Sequence, residues 1–173
     1  MRAEEGTQFS VVRYGNVFGS RGSVIPFFKE CAKKGEIPIT DMDMTRFWIT
    51  LEQGVDFVLH CIEEMHGGEI FIPKIPSMKV IDLAKVIGPK CKYKAIGIRP
   101  GEKLHESLIS ANNGLDTYEL SDKYVIYSKI VPTRNQKVRG KNLGASFKGY
   151  NSHENKSWVT IDQLKKMIDS SIA

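Results

Sequence analysis

The chain has 173 residues, 41% of them hydrophobic and 26% charged. That is the balance of a soluble globular protein with enough length for one real core. No apolar run reaches the roughly 18 residues of a membrane span, and Met1–Gly6 lacks the apolar core of a signal peptide. A cytoplasmic protein without a membrane partner is therefore expected. The net charge of +5, from 25 basic and 20 acidic residues, permits anionic partners. The basic residues are scattered, few aromatics are interleaved with them and no nucleic-acid motif occurs, so nucleic acid is not an expected partner.

Gln8 to Arg13 reads as a strand, apolar on both faces through Phe9, Val11 and Val12, as in a covered parallel sheet. It breaks into Tyr14-Gly15-Asn16-Val17-Phe18-Gly19-Ser20-Arg21-Gly22-Ser23, a polar loop with three glycines. A helix follows from Val24 to about Lys34, with Ser23 as N-cap, Pro26 in the first turn and Gly35 as the stop. Such a strand–loop–helix junction in an α/β protein is a place for ligands. Its glycines let a ligand approach the backbone, and the helix start offers free N–H donors to an anion. An ordinary connection has the same composition, so both readings stand.

Short strands are expected at Glu36–Thr40 and Arg46–Ile49. Thr50 and Gln53 then form a capping box for a helix whose Leu51, Val55, Val58 and Ile62 share one face. Glu69–Ile72 reads as a strand, Val80–Ile87 as a helix and Lys94–Ile98 as a strand. Glu102–Leu108 is expected to be helical, Ala111–Asp122 a polar loop, Tyr124–Val131 a strand and 132–150 irregular. Thr160 and Gln163 cap a last helix with Ile161, Leu164, Ile168 and Ile172 on its apolar face. The alternation argues for α/β.

Arg99-Pro100-Gly101-Glu102-Lys103 is the second candidate site. Pro100 and Gly101 suit a tight turn. Arg99 can grip a phosphate with its planar fork, and Glu102 can accept hydrogen bonds from a ribose. A surface turn with an ion pair fits the same residues. Asp41 and Asp43 have no third ligand nearby, and His60, His66, His105 and His153 show neither metal spacing nor a partnered nucleophile. Cys31, Cys61 and Cys91 lack a CxxC pair and are expected to be free thiols. No GxGxxG occurs, and no tyrosine has a lysine four residues later.

Five segments in order carry a resemblance: Arg13-Tyr14-Gly15-Asn16-Val17, Gly19-Ser20-Arg21-Gly22-Ser23-Val24, Met44-Thr45-Arg46-Phe47-Trp48-Ile49-Thr50, Gly68-Glu69-Ile70-Phe71-Ile72-Pro73-Lys74 and Arg99-Pro100-Gly101-Glu102-Lys103-Leu104-His105-Glu106. Together the chain resembles the C-terminal half of the UDP-N-acetylglucosamine 4,6-dehydratases of the extended short-chain dehydrogenase/reductase superfamily. Phe47-Trp48-Ile49 and Ile98-Arg99-Pro100-Gly101 point to the inverting branch that opens pseudaminic acid synthesis for flagellin and surface glycans. The match is strong over about Thr7 to Leu108 and weaker beyond, through Tyr150-Asn151-Ser152 and Trp158.

The resemblance implies an α/β fold: the last Rossmann strand or strands plus the smaller substrate-binding domain. Residues 1–35 would be a remnant of the NADP-binding domain, and residues 36–173 the substrate-binding domain with a C-terminal extension. In the family, NADP takes up and returns a hydride while water is eliminated across C5–C6 of the sugar. The Tyr-x-x-x-Lys pair and acidic residue that move protons lie upstream of the matched segments. The resemblance thus implies no catalytic residue here and an inactive chain when alone. It implies that Asn16, Val24, Thr40, Arg46, Arg99 and Glu102 meet the UDP-sugar, with Arg99 on the diphosphate and Glu102 on the ribose. Val17, Phe18, Gly19, Ser20 and Arg21 would line the NADP side. Implied partners are the UDP-sugar, the N-terminal half of the enzyme if supplied separately, and further copies of the chain. The alternative reading is a non-catalytic UDP-sugar-binding or interaction module.

Overall fold

A computed structural model describes residues 7–20, 22–127 and 138–170. In chain order they form β1 (Val11–Val12), β2 (Asn16–Val17), α1 (Val24–Lys33), β3 (Glu36–Ile39), β4 (Thr45–Ile49), α2 (Leu51–Glu64), β5 (Ile70–Pro73), β6 (Ser77–Lys79), α3 (Val80–Ile87), β7 (Lys92–Ala95), β8 (Ser107–Ile109), a 3-10 turn at Ala111–Asp116, β9 (Thr117–Glu119), β10 (Lys123–Ile126), β11 (Lys141–Asn142) and α4 (Ile161–Ser170). The architecture is the α/β arrangement expected of the C-terminal part of an extended short-chain dehydrogenase/reductase. Its elements gather into two compact units that interleave along the chain.

The first unit draws on Met1–Tyr14, Glu52–Lys74 and Ser107–Tyr150. Its sheet runs β1-β5-β10-β9-β11, with β1 parallel to β5 and the later pairs antiparallel. Cys61 of α2, Phe71 of β5 and Val125 of β10 form its buried centre. Burial raises the Cys61 thiol pKa to about 11, so it is an inert core thiol at neutral pH. Lys123 is buried too, and is tolerated there because Glu64 and Asp122 lie 3.2 and 3.3 Å from its Nζ. Buried Glu69 accepts from Ser10 Oγ at 2.6 Å and from the His66 and Gly67 amides.

Two expectations change in this unit. The strand expected over Gln8–Arg13 is reduced to Val11–Val12, and it is an edge strand, not a covered one: Phe9 and Val11 are each more than half exposed. The apolar face read on α2 exists, but its Val55 and Ile62 are exposed and its Val58 only partly buried, while Gly54 and Cys61 are buried. Periodicity located the face correctly and could not say what covers it.

The second unit draws on Gly15–Leu51, Ile75–Glu106 and Asn151–Ala173. Here β4 lies between β2, parallel to it, and β6, antiparallel. All five residues of β4 are buried, which explains its unbroken Thr-Arg-Phe-Trp-Ile sequence. A parallel β3–β7 pair completes the sheet structure. Ile25 and Phe28 of α1, Ile37 and Ile39 of β3, Trp48, Leu83 and Ala84 of α3, and Leu164 and Ile168 of α4 share one core. Gly35, with φ +78°, ends α1 as expected, and the Thr160–Gln163 capping box forms reciprocally at 2.8 and 3.2 Å.

Ser23 does occupy the position before α1, with φ −76° and ψ 173°, but its hydroxyl makes no cap bond. The helix expected over Glu102–Leu108 is absent. Its carbonyls serve other segments: Leu104 O accepts from Thr45 N, Lys103 O from Arg46, and Glu106 O from Ser152 N. Residues 107–109 become β8 instead. The expected apolar-face residue Ile172 and part of the strand expected over 124–131 lie outside the described residues.

Gly15 is fixed by space. A Cβ there would collide with the backbone carbonyl oxygen of Phe47 and meet its Cβ at 2.5 Å. The glycine lets the segment before Asn16 lie against β4. Gly15→Ala should therefore cost about 1–3 kcal/mol through overpacking. Urea denaturation measures this, and an unchanged midpoint would show that β4 yields freely at this contact.

Candidate functional site

Wholly within the second unit lies a cleft of about 550 Å³. Three local structures build it. The first is the loop after β2. Phe18 N–H bonds to Ile49 O at 2.8 Å, tying the loop to β4. Gly19 and Gly22 then turn the chain with φ of +74° and +70°. The cleft is lined here by Asn16, Val17, Ser20, Gly22, Ser23 and Val24. Phe18 is not on that wall: its ring is buried edge-on against Trp48, centroids 5.5 Å apart. Arg21 lies outside the described residues.

The second structure is the turn at Arg99–Glu102. Gly97 N–H bonds to Thr40 O at 3.1 Å, which brings the turn beside the end of β3. Glu102 N–H returns to Arg99 O at 3.0 Å, and Gly101 has φ +83°. With proline before the glycine, this is a type II turn. The Glu102 carboxylate accepts the Arg99 amide at 3.2 Å, so it is oriented before any ligand arrives. The exposed Arg99 side chain is left to reach the cleft.

The third structure is β4, which supplies Arg46 and Trp48. Arg46 lines the cleft, but its fork is largely committed. Nη1 donates to Thr45 O at 2.8 Å and Leu104 O at 3.1 Å, Nη2 donates to Lys103 O at 2.8 Å, and Nε lies 3.6 Å from Glu106. Arg46 is thus a strut for residues 103–106 as well as a source of positive charge. All six residues assigned to the substrate, Asn16, Val24, Thr40, Arg46, Arg99 and Glu102, line this one cleft. Of those assigned to the cofactor, Val17 and Ser20 do.

Sequence reasoning missed the apolar wall of Phe27, Phe28, Pro38 and Ile96. One signal was available: Phe27, on a helix with a buried stripe, is half exposed directly after the loop. Also missed were Ser23 Oγ and Trp48 Nε1. Both are buried, belong to cleft-lining residues and have no hydrogen-bond partner among the described residues. Such atoms cost about 1–3 kcal/mol each while unmet. An apolar wall in one cleft with an exposed guanidinium and an oriented carboxylate suits a ligand with a planar ring, hydroxyls and an anionic group.

The other candidates lie off the cleft. The Asp43 amide donates to Asp41 Oδ1 at 2.8 Å in a local turn, and Lys79 lies 3.9 Å from Asp43. His60 lies 3.0 Å from Glu64. The three cysteines are free thiols, as expected. Among the described residues no helix is long and apolar enough to cross a membrane.

Comparison with known proteins gives a consistent picture. Residues 1–128 match the family of polysaccharide biosynthesis proteins. The UDP-N-acetylglucosamine 4,6-dehydratase (inverting) of Campylobacter jejuni is 50% identical over 173 residues, covering 94% of this chain and 52% of that protein. The UDP-glucose 4-epimerase of Rickettsia massiliae is 36% identical over 97% of this chain and 51% of its own. The X-ray structure of Pen from Bacillus thuringiensis superposes with a TM-score of 0.78 at 32% identity, over 95% of this chain and 50% of that one. The chain spans about half the length of the curated relatives it matches.

The two arginines are separable by stability. Arg46→Met takes the donor from Lys103 O and one of two donors from Leu104 O, and should lower the unfolding free energy by about 1–3 kcal/mol. Arg99→Ala should stay within about 0.5 kcal/mol of the parent. Urea titration of both variants decides; equal losses would contradict the division of roles.

Proposed function

The chain belongs to the polysaccharide biosynthesis protein family, and from that premise we propose that it is the UDP-sugar-binding part of a UDP-N-acetylglucosamine 4,6-dehydratase of the inverting kind. The observation that carries the proposal is the pairing of Arg99 with an oriented Glu102 at a cleft that also has an aromatic wall. A nucleoside diphosphate sugar needs each of these. Arg99 neutralises the diphosphate, as a planar fork does well. Glu102 takes the ribose diol. Val24 and Thr40 border the nucleotide, with Phe27 and Phe28 at hand for the base, and Asn16 meets the sugar. Arg46 adds charge from behind the turn.

On this reading residues 1–35 are the remnant of the cofactor domain and residues 36–173 bind substrate. That is a division by role and not by compact unit. The backbone of Val17–Ser20 would border NADP; the Phe18 ring, being in the core, would not touch it. NADP, when bound, supplies the hydride chemistry. This chain's residues bind and orient the sugar nucleotide, in the cytoplasm, at the step that opens pseudaminic acid synthesis. With no Tyr-x-x-x-Lys and no GxGxxG among its residues, the chain alone binds without turnover. The same observation favours the second reading, a UDP-sugar-binding module without catalysis.

Calorimetry should detect weak UDP binding, since one clamp must offset the whole association entropy. Arg99→Ala should raise Kd at least about tenfold, the worth of one charge-assisted contact. Mixing the chain with UDP-N-acetylglucosamine and NADP should yield no 4-keto sugar. Unchanged UDP binding by Arg99→Ala would refute the diphosphate assignment, and turnover would refute the division of labour.

The first unit offers a surface for the rest of such an enzyme or for a second copy. Val55, Leu59 and Ile62 form an exposed apolar row on α2, and β1 is an edge strand among the described residues. Edges and rows of this kind recruit other chains. The chain should therefore self-associate at micromolar concentration, and Leu59→Lys with Ile62→Lys should reduce it. Light scattering checks this; a monomeric parent chain with well-protected residues 8–13 would contradict it.

A further inference from the structure

Segment 103–106 has no helix or sheet of its own, yet it follows directly on the Arg99–Glu102 turn. It is held from two sides. From β4, Arg46 grips Lys103 O and Leu104 O. From the C-terminal segment, Ser152 N–H bonds to Glu106 O at 2.8 Å, and Glu106 N–H bonds to Ser152 Oγ at 2.9 Å. Thr45 joins the two sides, with Oγ1 2.6 Å from Ser152 Oγ and 2.8 Å from His105 Nδ1. On the outer side the His105 and His153 rings stack, centroids 4.2 Å apart and planes within 23°.

We propose that the stacked His105–His153 pair is a pH-sensitive clasp that positions the Arg99–Glu102 turn, so that the cleft binds its nucleoside diphosphate sugar well above the histidine range and poorly below it. This rests on the cleft reading given above and adds a regulation to it. A proton on each ring would set like charges about 4 Å apart, which the stacked arrangement disfavours. The hydroxyls are not the obstacle: Glu106 N–H always donates to Ser152 Oγ, but the Ser152–Thr45–His105 links can run in either direction, Ser152 Oγ–H turning to Thr45 O when His105 Nδ1 donates. What resists the proton is the surroundings. Burial first, then His153 and Arg46, hold the His105 pKa below its ordinary 6.5, against an opposing pull from Asp43 and Asp41.

The charged groups around the clasp come from every neighbouring element. Asp41 and Asp43 lie in the loop before β4, with Lys79 of β6 on Asp43 at 3.9 Å. Arg46 is on β4 and faces Glu106 at 3.6 Å. Glu154 lies 3.9 Å from His153 Nε2. The neutral form is the one the clasped state prefers. The clasp is therefore intact above about pH 6.5 and is lost as pH falls through the lowered His105 value. On opening, residues 151–154 release Glu106 and the turn loses its anchor on that side.

The test uses UDP-N-acetylglucosamine, whose diphosphate carries no titrating proton in this range. Its Kd is measured by calorimetry at pH 7.5 and 5.5 for the parent chain and for His153→Phe, which keeps a stacked ring without a second charge. Amide spectra follow Glu106 and Ser152 over the same range without ligand. The parent Kd should rise at least fivefold at pH 5.5, and its two amides should shift together. The variant should match the parent within twofold at pH 7.5 and show a clearly smaller pH response, because burial and Arg46 still act on His105 while the second ring charge is gone. Equal pH responses in parent and variant, in amides or in Kd, overturn the clasp. A parent chain that shows the amide response but binds nothing at pH 7.5 overturns the cleft reading instead.

Discussion

Arg46 is the constraint on which the site depends. A guanidinium buried to nine-tenths must have its donors met, because an unpaired buried charge costs several kcal/mol. Here the partners are carbonyls of residues 45, 103 and 104. That requirement runs both ways. It fixes Arg46 on the cleft wall, and it draws an otherwise irregular segment against β4. The Arg99–Glu102 turn, which immediately precedes that segment, is thereby placed at a defined spot beside Thr40. The exposed arginine lines the cleft, and the buried one holds its frame.

The second unit shows how a ligand site is made from little regular structure. Its wall needs β4 buried on both faces, Gly15 lying against Phe47, and glycines that turn the loop before α1. Apart from Arg46 and Trp48 of β4, these elements give the cleft its backbone placement and not its side chains. They set the distances at which Asn16, Val24, Arg99 and Glu102 converge. Ser23 Oγ and Trp48 Nε1 add two buried polar atoms to the same wall.

Much of this was legible in the sequence, for identifiable reasons. Val80–Ile87 and the α1 boundaries were readable because glycine and proline signals are local, although the Ser23 cap bond expected at α1 does not form. The Thr160–Gln163 box was readable for the same cause. The turn at Arg99–Glu102 followed from Pro-Gly alone. The failures came where distant segments decide. Glu102–Leu108 has helical composition, but Thr45, Arg46 and Ser152 capture its backbone groups from 46 or more residues away. The α2 face and the β1 strand have buried patterns and exposed positions, since periodicity reports what a face requires and not what meets it. Phe27 was overlooked because an exposed aromatic on an amphipathic helix has no motif.

The central claim is that one cleft in the second unit binds the nucleotide through Arg99 and Glu102. The most direct test is a crystal structure of the chain soaked with UDP. The account predicts the diphosphate within about 3 Å of the Arg99 guanidinium, the ribose hydroxyls on the Glu102 carboxylate, and the base against Phe27 or Phe28. UDP bound at any other surface, or bound in this cleft with Arg99 turned to solvent, would contradict it.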